Sequence, residues 1–494
     1  MPLFLSVLFT LLTFANITPD TDQPNQHRLV LSFVSDGFVP SEQQLAVAEG
    51  LNMTLFEVSE PSQVSSFSDR QYSYLLAIGP EFQVPGQLSH NLSAVADDML
   101  RTYRDFERII PGKIAAVGAM RYPFESYPNF IETAEALSDT LLTEITVPLY
   151  LQSAGYPVNN RPYGFNFTSV RAHPEQSQHI DRSVVHFVPS DDLNATFSSL
   201  NQTMDYLLNY DESILILPAS WFFSQLERQS DLRHLFTDHM SGNSVVLPLP
   251  SEESQPPYFN WSIVLLFLIW GSFALHFRYQ PIYGQSVIRY FSNHSFFVDD
   301  VMEHRLRNVL PGIVLLMQHA LLTGLFVYAS MEVMVTKLGL EVLNFHFPGI
   351  MLFANPLFSL FMAGVATALL LQAISALWIY FSNKELTAFS QVLNLYSWPL
   401  HLNLLVVTFL IVFNQMGFSE ILILVLAGLF IIIWFFSFNI AAIDSTKLLE
   451  TTGAKILFLS LTVGLHIVLL LGVLTYFLYT PSVIEPILFA IDVP

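Results

Sequence analysis

Acidic, basic and aromatic side chains follow several predicted β-strands in the first half of the chain. In barrels and in open parallel sheets, ligand and active sites form where the strands end, so we expect these side chains to converge. Carboxylate and guanidinium groups hydrogen-bond to sugar hydroxyls, and aromatic rings stack on the apolar face of a sugar. The pattern therefore predicts a ligand-binding mouth with a glycan as the candidate ligand. Its predicted residues are Asp36, Glu57, Glu81, Arg121, Tyr122 and Trp221.

Sugar cleavage would require two facing carboxylates, one acting as the acid and the other as base or nucleophile. In the commonest barrel glycosidases these carboxylates follow the fourth and seventh strands. Here the predicted fourth strand is followed by Arg121-Tyr122-Pro123, and the predicted seventh by Pro218-Ala219-Ser220-Trp221. The first half thus resembles a degenerate glycosidase-like barrel, which favours binding over catalysis. The alternative is a hydrolase whose candidate acids are Asp36, Glu57, Glu81 and Glu125.

Composition and spacing argue against several other chemistries. The chain has no cysteine, which excludes disulfides, thiolate metal ligands and cysteine nucleophiles. His234 and His239 are five residues apart and His173 and His179 six apart, so neither pair shares one helical face. Residues 1–260 carry 30 acidic and 12 basic residues, a net charge of −18 that repels nucleic acid. We therefore predict no metal, no cofactor and no nucleic-acid partner.

The elements that must position the mouth are short apolar runs that alternate with amphipathic helices. Alternating strands and helices predict a parallel sheet, and eight strands in about 220 residues favour a (β/α)8 barrel. An open doubly wound sheet is the alternative, because Ser59–Gln71 is short and Gly155–Arg182 shows no clear helix. The predicted strands are Leu29–Val34, Met53–Val58, Tyr74–Ile78, Ile114–Ala119, Val147–Gln152, Val184–Val188, Ile214–Leu217 and Val245–Leu249.

The second half consists of long apolar segments, most of them long enough to cross about 30 Å of hydrocarbon as a helix. The predicted spans are 261–277, 309–331, 350–381, 395–413, 420–441 and 456–480. Polar side chains inside a membrane are costly, which makes them candidates for function. They could line an ion path, but we favour hydrogen bonds between helices made by amides and neutral imidazoles. The candidates are His319, Gln372, His401, Asn403 and His466.

Two independent signals predict that the first half lies outside the cytoplasm. Residues 1–16 have the profile of a signal peptide, with an uncleaved anchor as the alternative. If the domain 28–250 is outside, seven of the eight basic residues that follow the linker 251–260 lie on the cytoplasmic side. Membrane proteins usually carry an excess of Lys and Arg in their cytoplasmic loops, so this distribution supports the orientation. The seven are Arg278, Arg289, Arg305, Arg307, Lys384, Lys447 and Lys455. The tail 481–494 is then outside, and the lack of cysteine favours a bacterial inner membrane.

The second half also resembles known membrane families. The segments His276-Phe277-Arg278-Tyr279, Arg289-Tyr290-Phe291 and Leu325-Phe326-Val327-Tyr328 resemble the six-span envelope proteins of Bacteroidetes-type bacteria grouped as domain of unknown function 4271. The segment Leu395-Tyr396-Ser397-Trp398-Pro399-Leu400 is similar to the Yip family. These resemblances imply a multi-spanning envelope protein and bring no mechanism. Residues 278–308 suit an interfacial helix or a plain inner loop.

Taken together, these features predict an extracytoplasmic α/β domain joined by a linker to a six-helix transmembrane bundle. The favoured function is recognition of an envelope ligand at the barrel mouth, with the bundle anchoring the domain or relaying to partners. An envelope glycan hydrolase is one alternative, and a transporter or membrane assembly factor is the other. The predicted partners are the lipid bilayer and an envelope glycan or envelope protein.

Overall fold

The computed structural model divides the chain into two compact units, residues 1–255 and residues 256–492. It describes residues 26–34, 38–64, 68, 70–155, 162–172, 184–190, 192–210, 212–229, 231–247, 260–306, 308–418 and 420–493. The predicted signal peptide, nearly all of the predicted linker and the candidate residue Asp36 lie outside the described residues. Those three predictions therefore stay predictions.

The first unit is a closed barrel of eight parallel strands. The strands are β1 (Gln26–Ser32), β2 (Leu55–Val58), β3 (Ser73–Ala77), β4 (Ile114–Arg121), β5 (Leu149–Ser153), β6 (Phe165–Ala172), β7 (Val184–Phe187) and β8 (Glu212–Pro218). Each strand pairs with its sequence neighbours, and β1 pairs with β8 from Gln26↔Glu212 to Ser32↔Pro218. This ring confirms the barrel and rules out the open sheet.

Two of the predicted strand assignments need correction. Val245–Leu249 is not a strand in its described part, because the Leu247 N–H donates to Asn201 Oδ1 at 2.7 Å instead of joining a ladder. Conversely, Phe165–Ala172 forms β6 within the segment for which no element was predicted. The two runs predicted as the sixth and seventh strands are therefore β7 and β8. The count of eight was right, although one of its members was wrong.

Helices cover the outside of the barrel. A large apolar core lies between strands and helices, with Phe56, Leu76 and Phe222 among its fully buried members. A smaller apolar cluster contains Val30, Leu55, Leu75, Tyr150, Val184 and Ile216, which come from six different strands and fill the barrel. The helices are Glu42–Glu49, Pro61–Val64, Pro85–Ile109, Phe130–Leu141, Leu193–Leu207, Ala219–Arg228 and Leu232–Met240.

The second unit is a helical bundle with six helices long and apolar enough to cross a membrane. They are Trp261–Tyr279, Leu310–Met334, Pro356–Ser382, Phe389–Gln415, Ile421–Leu448 and Thr452–Tyr479, called the first to sixth spans below. The chain is thus a multi-pass membrane protein, as predicted. The third span begins at Pro356 and not at residue 350, because Asn355 Oδ1 caps the helix by accepting from the Phe358 N–H at 3.0 Å.

Shorter helices connect or follow the spans. The segment 278–308, predicted as an interfacial helix or a plain inner loop, contains two helices, Pro281–Ser292 and His294–Met302, with the break at Asn293. Two further short helices are Lys337–His346 and Pro481–Asp492. The fourth span carries Pro399 inside it and is divided at His401. The sixth span contains a π-helical turn at Ser460–Gly464.

Candidate functional site

Inside the barrel, the inward-facing positions change from apolar to polar towards the carboxyl ends of the strands. Side chains two residues apart on a strand point to the same face. Leu55 and Val184 belong to the interior apolar cluster, and two residues further along their strands stand Glu57 and His186. On β5 the same step leads to Gln152. The carboxyl end of the barrel therefore has a polar layer above its apolar filling.

Glu57 is the centre of this polar layer. Its side chain is 1% exposed, and its Oε1 accepts from the Tyr150 hydroxyl at 2.9 Å and from Gln152 Nε2 at 2.6 Å. His186 Nε2 lies 3.4 Å from the same oxygen. A buried carboxylate is tolerated when several donors surround it. Three strands, β2, β5 and β7, thus supply one hydrogen-bonded group.

The protonation states of the partners follow from burial. Desolvation raises the pKa of the Tyr150 hydroxyl well above its usual range, and the negative charge of Glu57 raises it further. Tyr150 therefore stays protonated and donates. Desolvation lowers the pKa of His186 in spite of the opposite effect of Glu57, so the imidazole is neutral at pH 7.

A glycine makes room for this arrangement. At Gly118 on β4, an added Cβ would lie 2.8 Å from Cζ of the Tyr150 ring, closer than any side chain tolerates. The ring of Tyr150 also stacks on that of Phe167, with 5.0 Å between their centroids. The Tyr150 hydroxyl is therefore held against Glu57 by packing on two neighbouring strands.

The polar layer continues outward to the rim of the barrel. Gln152 Oε1 accepts from Arg121 Nε at 3.3 Å, and the Arg121 guanidinium donates to Glu81 Oε1 at 3.3 Å. The side chains of Arg121 and Glu81 are 15% and 33% exposed. An unbroken chain of contacts thus leads from the buried Glu57 to groups that solvent reaches. We call the residues Glu57, Glu81, Arg121, Tyr150, Gln152 and His186 the mouth cluster.

Strained backbone lies beside the mouth cluster. Phe82 has φ 50° and Tyr122 has φ 47°, a left-handed conformation that costs a side-chain-bearing residue about 1–3 kcal/mol. Each follows a member of the bridge between Glu81 and Arg121, and the Phe82 N–H donates to the Arg121 carbonyl at 3.0 Å. The Arg171 guanidinium lies 5.4 Å from the centre of the Tyr122 ring. The ends of β3, β4 and β6 therefore place an aromatic ring and a second cation at the rim.

The structure brings together four of the six predicted mouth residues, namely Glu57, Glu81, Arg121 and Tyr122. Trp221 lies elsewhere, with its ring 5.2 Å from Phe187 and 6.1 Å from Phe197 between the barrel and its outer helices. The candidate ligand-binding residues did not include Tyr150, Gln152, His186 or Arg171, although Gln152 was placed at the end of the predicted fifth strand. The alternation of side-chain direction along β5 and β7 could have indicated Tyr150, Gln152 and His186. Arg171 lies on β6, the strand that was not predicted.

The two carboxylates of the mouth cluster, Glu57 and Glu81, do not follow the fourth and seventh strands. In the part of the chain that the structure describes, β4 is followed by Tyr122, Pro123 and Phe124 before the candidate acid Glu125, and β7 by residues 188–190 without an acid. Asp192 caps the next helix, because its side chain accepts from the backbone N–H groups of Asn194 and Ala195. The two acids of the mouth cluster come from β2 and from the loop after β3.

Comparison with known proteins adds one structural similarity. No protein-family model and no curated protein matches this chain. Among solved structures, the endoglucanase Cel5A of Pseudomonas stutzeri is similar over 47% of this chain and 99% of its own length. The two chains are 12% identical in sequence, and the TM-score is 0.28.

A second polar cluster lies inside the helical bundle, around His319 of the second span. His319 Nδ1 lies 2.7 Å from Gln372 Nε2 of the third span, and its Nε2 lies 3.0 Å from Asn403 Nδ2 of the fourth. A neutral imidazole has one N–H and one lone pair, so one of the two amides must present its oxygen. The ring of Phe430 stacks on His319 at 5.4 Å. Four spans therefore meet here.

The structure places the other two predicted membrane histidines apart from this cluster. His401 packs against Phe273, with ring centroids 4.7 Å apart. His466 packs against Phe438 at 4.3 Å. Three of the five predicted polar residues thus form one hydrogen-bonded group, and the remaining two make aromatic contacts.

Proposed function

We propose that the chain is a membrane-anchored binding protein whose barrel mouth recognises a hydroxyl-rich ligand of the glycan class. The observation that supports this is the contact chain from the buried Glu57 through Gln152 and Arg121 to Glu81 at the rim. Sugar hydroxyls donate and accept at once, so they pair best with a surface that offers carboxylates beside amide and guanidinium donors. The helical bundle anchors this mouth in the membrane.

The contacts of the two acids favour binding over hydrolysis. A glycosidase needs one carboxylic acid free to protonate the leaving oxygen and a second carboxylate facing the sugar ring. Here Glu57 Oε1 accepts from Tyr150 and Gln152, and Glu81 is paired with Arg121. These partners hold both groups as acceptors. A hydrolase is the second candidate, since the mouth does contain two acids.

The placement in the cell is also part of the proposal. The excess of basic residues on one set of loops supports an orientation with the barrel and the C-terminal tail outside. The lack of cysteine supports a bacterial inner membrane. An exported barrel would face the envelope glycans that this mouth is proposed to bind. Cleavage of an N-terminal signal peptide would be consistent with the same orientation.

The test uses the full-length protein in detergent, titrated by calorimetry with soluble envelope glycans, namely N-acetylglucosamine oligomers and muropeptides. We expect one glycan class to bind and the Arg121→Gln variant to bind it at least tenfold more weakly, because a charged hydrogen bond is lost. Arg104→Gln is the matched control, since Arg104 pairs with Glu144 on an exposed helix.

Three other outcomes would decide against the proposal. Equal loss of affinity in both arginine variants would place the binding outside the mouth, and absence of binding to every glycan would remove the ligand class. Turnover of a glycan that is lost in both Glu57→Gln and Glu81→Gln would establish the hydrolase instead.

A further inference from the structure

A small polar cavity lies at one end of the helical bundle, where the short helix Pro281–Ser292 meets the start of the second span and the first half of the fourth. Its volume is about 30 Å³, room for roughly two water-sized groups. The polar side chains that line it are Gln280, Tyr283, Ser286, Arg305, Asn308, Asn394 and Trp398. The side chain of Arg305 is 56% exposed, so the cavity adjoins the surface.

Two buried donors on residues that line this cavity have no hydrogen-bond partner among the residues that the structure describes. The Tyr283 hydroxyl belongs to a residue that is 1% exposed, and Trp398 Nε1 to one that is 2% exposed. The two rings lie 5.1 Å apart, and the ring of His276 packs on Tyr283 at 4.6 Å. A buried donor without an acceptor costs about 1–3 kcal/mol. The packing therefore holds both donors in place without an acceptor from the described residues.

The charged groups around the cavity show which acceptor it suits. Arg305 donates to Asp300 at 3.3 Å and also to Glu303, and Asp300 is paired with Arg289 at 2.8 Å. A guanidinium has five N–H donors, so these two bonds leave others for a ligand. Asn394 donates to the Asn308 carbonyl at 3.3 Å, which fixes its amide at the wall. Burial raises the pKa of Tyr283, so its hydroxyl stays a donor.

We propose that this cavity binds a phosphate-type oxyanion, whose oxygens accept from the Tyr283 hydroxyl, Trp398 Nε1 and the Arg305 guanidinium. An oxyanion has several strong acceptors on one centre and matches a cavity that presents a cation and two uncharged donors. Two of its oxygens fit in the volume, and the rest of the group faces the opening. The source is the headgroup of a phospholipid or free phosphate.

The experiment titrates the full-length protein in a phospholipid-free sugar detergent with inorganic phosphate, measured by calorimetry. A parallel arm adds phosphatidylglycerol or, as the uncharged counterpart, diacylglycerol, and counts bound lipids by native mass spectrometry. Tyr283→Phe removes the hydroxyl alone, and Arg305→Gln removes the charge. Tyr290→Phe is the matched control, because Tyr290 is a buried tyrosine of the same helix that does not line the cavity.

We expect Tyr283→Phe and Arg305→Gln to weaken binding at least tenfold, as for loss of a hydrogen bond to a charged group, and Tyr290→Phe to leave it unchanged. Binding of inorganic phosphate with this pattern identifies the free ion. Retention of phosphatidylglycerol but not diacylglycerol, with the same pattern, identifies the lipid headgroup. Failure of both probes to bind, or an equal effect of Tyr283→Phe and Tyr290→Phe, would show a cavity that holds only water.

Discussion

The polar groups around Glu57 in the barrel and those around His319 in the bundle are buried in different surroundings. Glu57 and His319 are each 1% exposed. From Glu57 the contacts continue to Arg121 and Glu81, which solvent reaches. Around His319 they lead to Gln372 and Asn403, which are 2% and 0% exposed, and Asn403 also donates to the buried Phe430 carbonyl at 3.3 Å. The described contacts of the first cluster therefore reach solvent, whereas those of the second stay inside the bundle.

The two clusters also differ in charge. The mouth cluster contains two carboxylates and a guanidinium. Solvent reaches some of these groups at the end of the barrel, which lowers the free-energy cost of their charges. The bundle cluster contains amides and an imidazole with aromatic rings around it, as expected for groups that link helices in a membrane. A role of His319 in transport stays a prediction.

The largest effect is expected from Glu57→Ala. The change removes the acceptor of Tyr150 and Gln152, and each donor left without a partner costs about 1–3 kcal/mol, so we expect a loss of about 4 kcal/mol in unfolding free energy. Unfolding of the full-length protein in denaturant, followed by circular dichroism, measures it. Glu144→Ala is the control, since a surface ion pair contributes only about 1 kcal/mol or less. Equal losses would contradict a central role for Glu57.

Acid should destabilise the barrel through its buried histidines at the end opposite the mouth. Burial lowers the pKa of His239 to about 4 and lowers that of His27, whose ring is 5.6 Å away. Between pH 6.5 and 4 the unfolded chain takes up protons that the folded chain does not, so stability falls as the pH falls. For His239 the loss reaches about 3 kcal/mol.

A series of unfolding measurements from pH 7 to pH 4 tests this, with His239→Gln as the variant whose slope should flatten. His90→Gln is the control, because His90 is exposed on the helix Pro85–Ile109. If both variants keep the slope of the natural chain, the buried pair does not cause the acid sensitivity.

The smallest effect is expected from His319→Leu. Hydrogen bonds between membrane helices contribute about 0.6 kcal/mol each, and two are lost, so we expect about 1 kcal/mol. Unfolding of the bundle in mixed micelles of increasing sodium dodecyl sulfate measures it. His401→Leu is the matched control, since His401 is a histidine of the same bundle that packs against the aromatic ring of Phe273. A loss above 4 kcal/mol in His319→Leu alone would indicate a cluster with a function beyond linking helices.

Local patterns were enough to predict the two architectures but only part of the sites. Hydropathy gives six helices because every backbone group in a membrane must be satisfied within its helix. The positions of Glu57 and Arg121 at the ends of predicted strands were enough to place them at the mouth. The local sequence could not predict the contacts of Glu57 with Tyr150 and Gln152, which are 93 and 95 residues further along the chain. Those contacts depend on the curvature of the closed ring, which brings β2 and β5 to one axis.

The wrong predictions also have causes that lie in single segments of the chain. The run Val245–Leu247 is β-branched and apolar like a strand, but Asn201 supplies its hydrogen bonds. The alternation of Phe165 and Phe167 with polar residues is a strand pattern that polar flanking segments obscured. Trp221 follows a strand directly, and its ring nevertheless turns to the outer core. Side-chain direction after a strand end is set by the tertiary packing.

The pairing of the first strand with the last has a consequence for biosynthesis. His27 and Ser213, whose side chains hydrogen-bond at 2.7 Å, are 186 residues apart. Until the last strand has been made, β1 and β7 each expose a row of unpaired backbone groups, which are templates for aggregation. Contacts so distant in sequence also slow folding. We therefore expect a nascent chain of this protein to need chaperones for longer than a chain whose strands pair only with their neighbours in sequence.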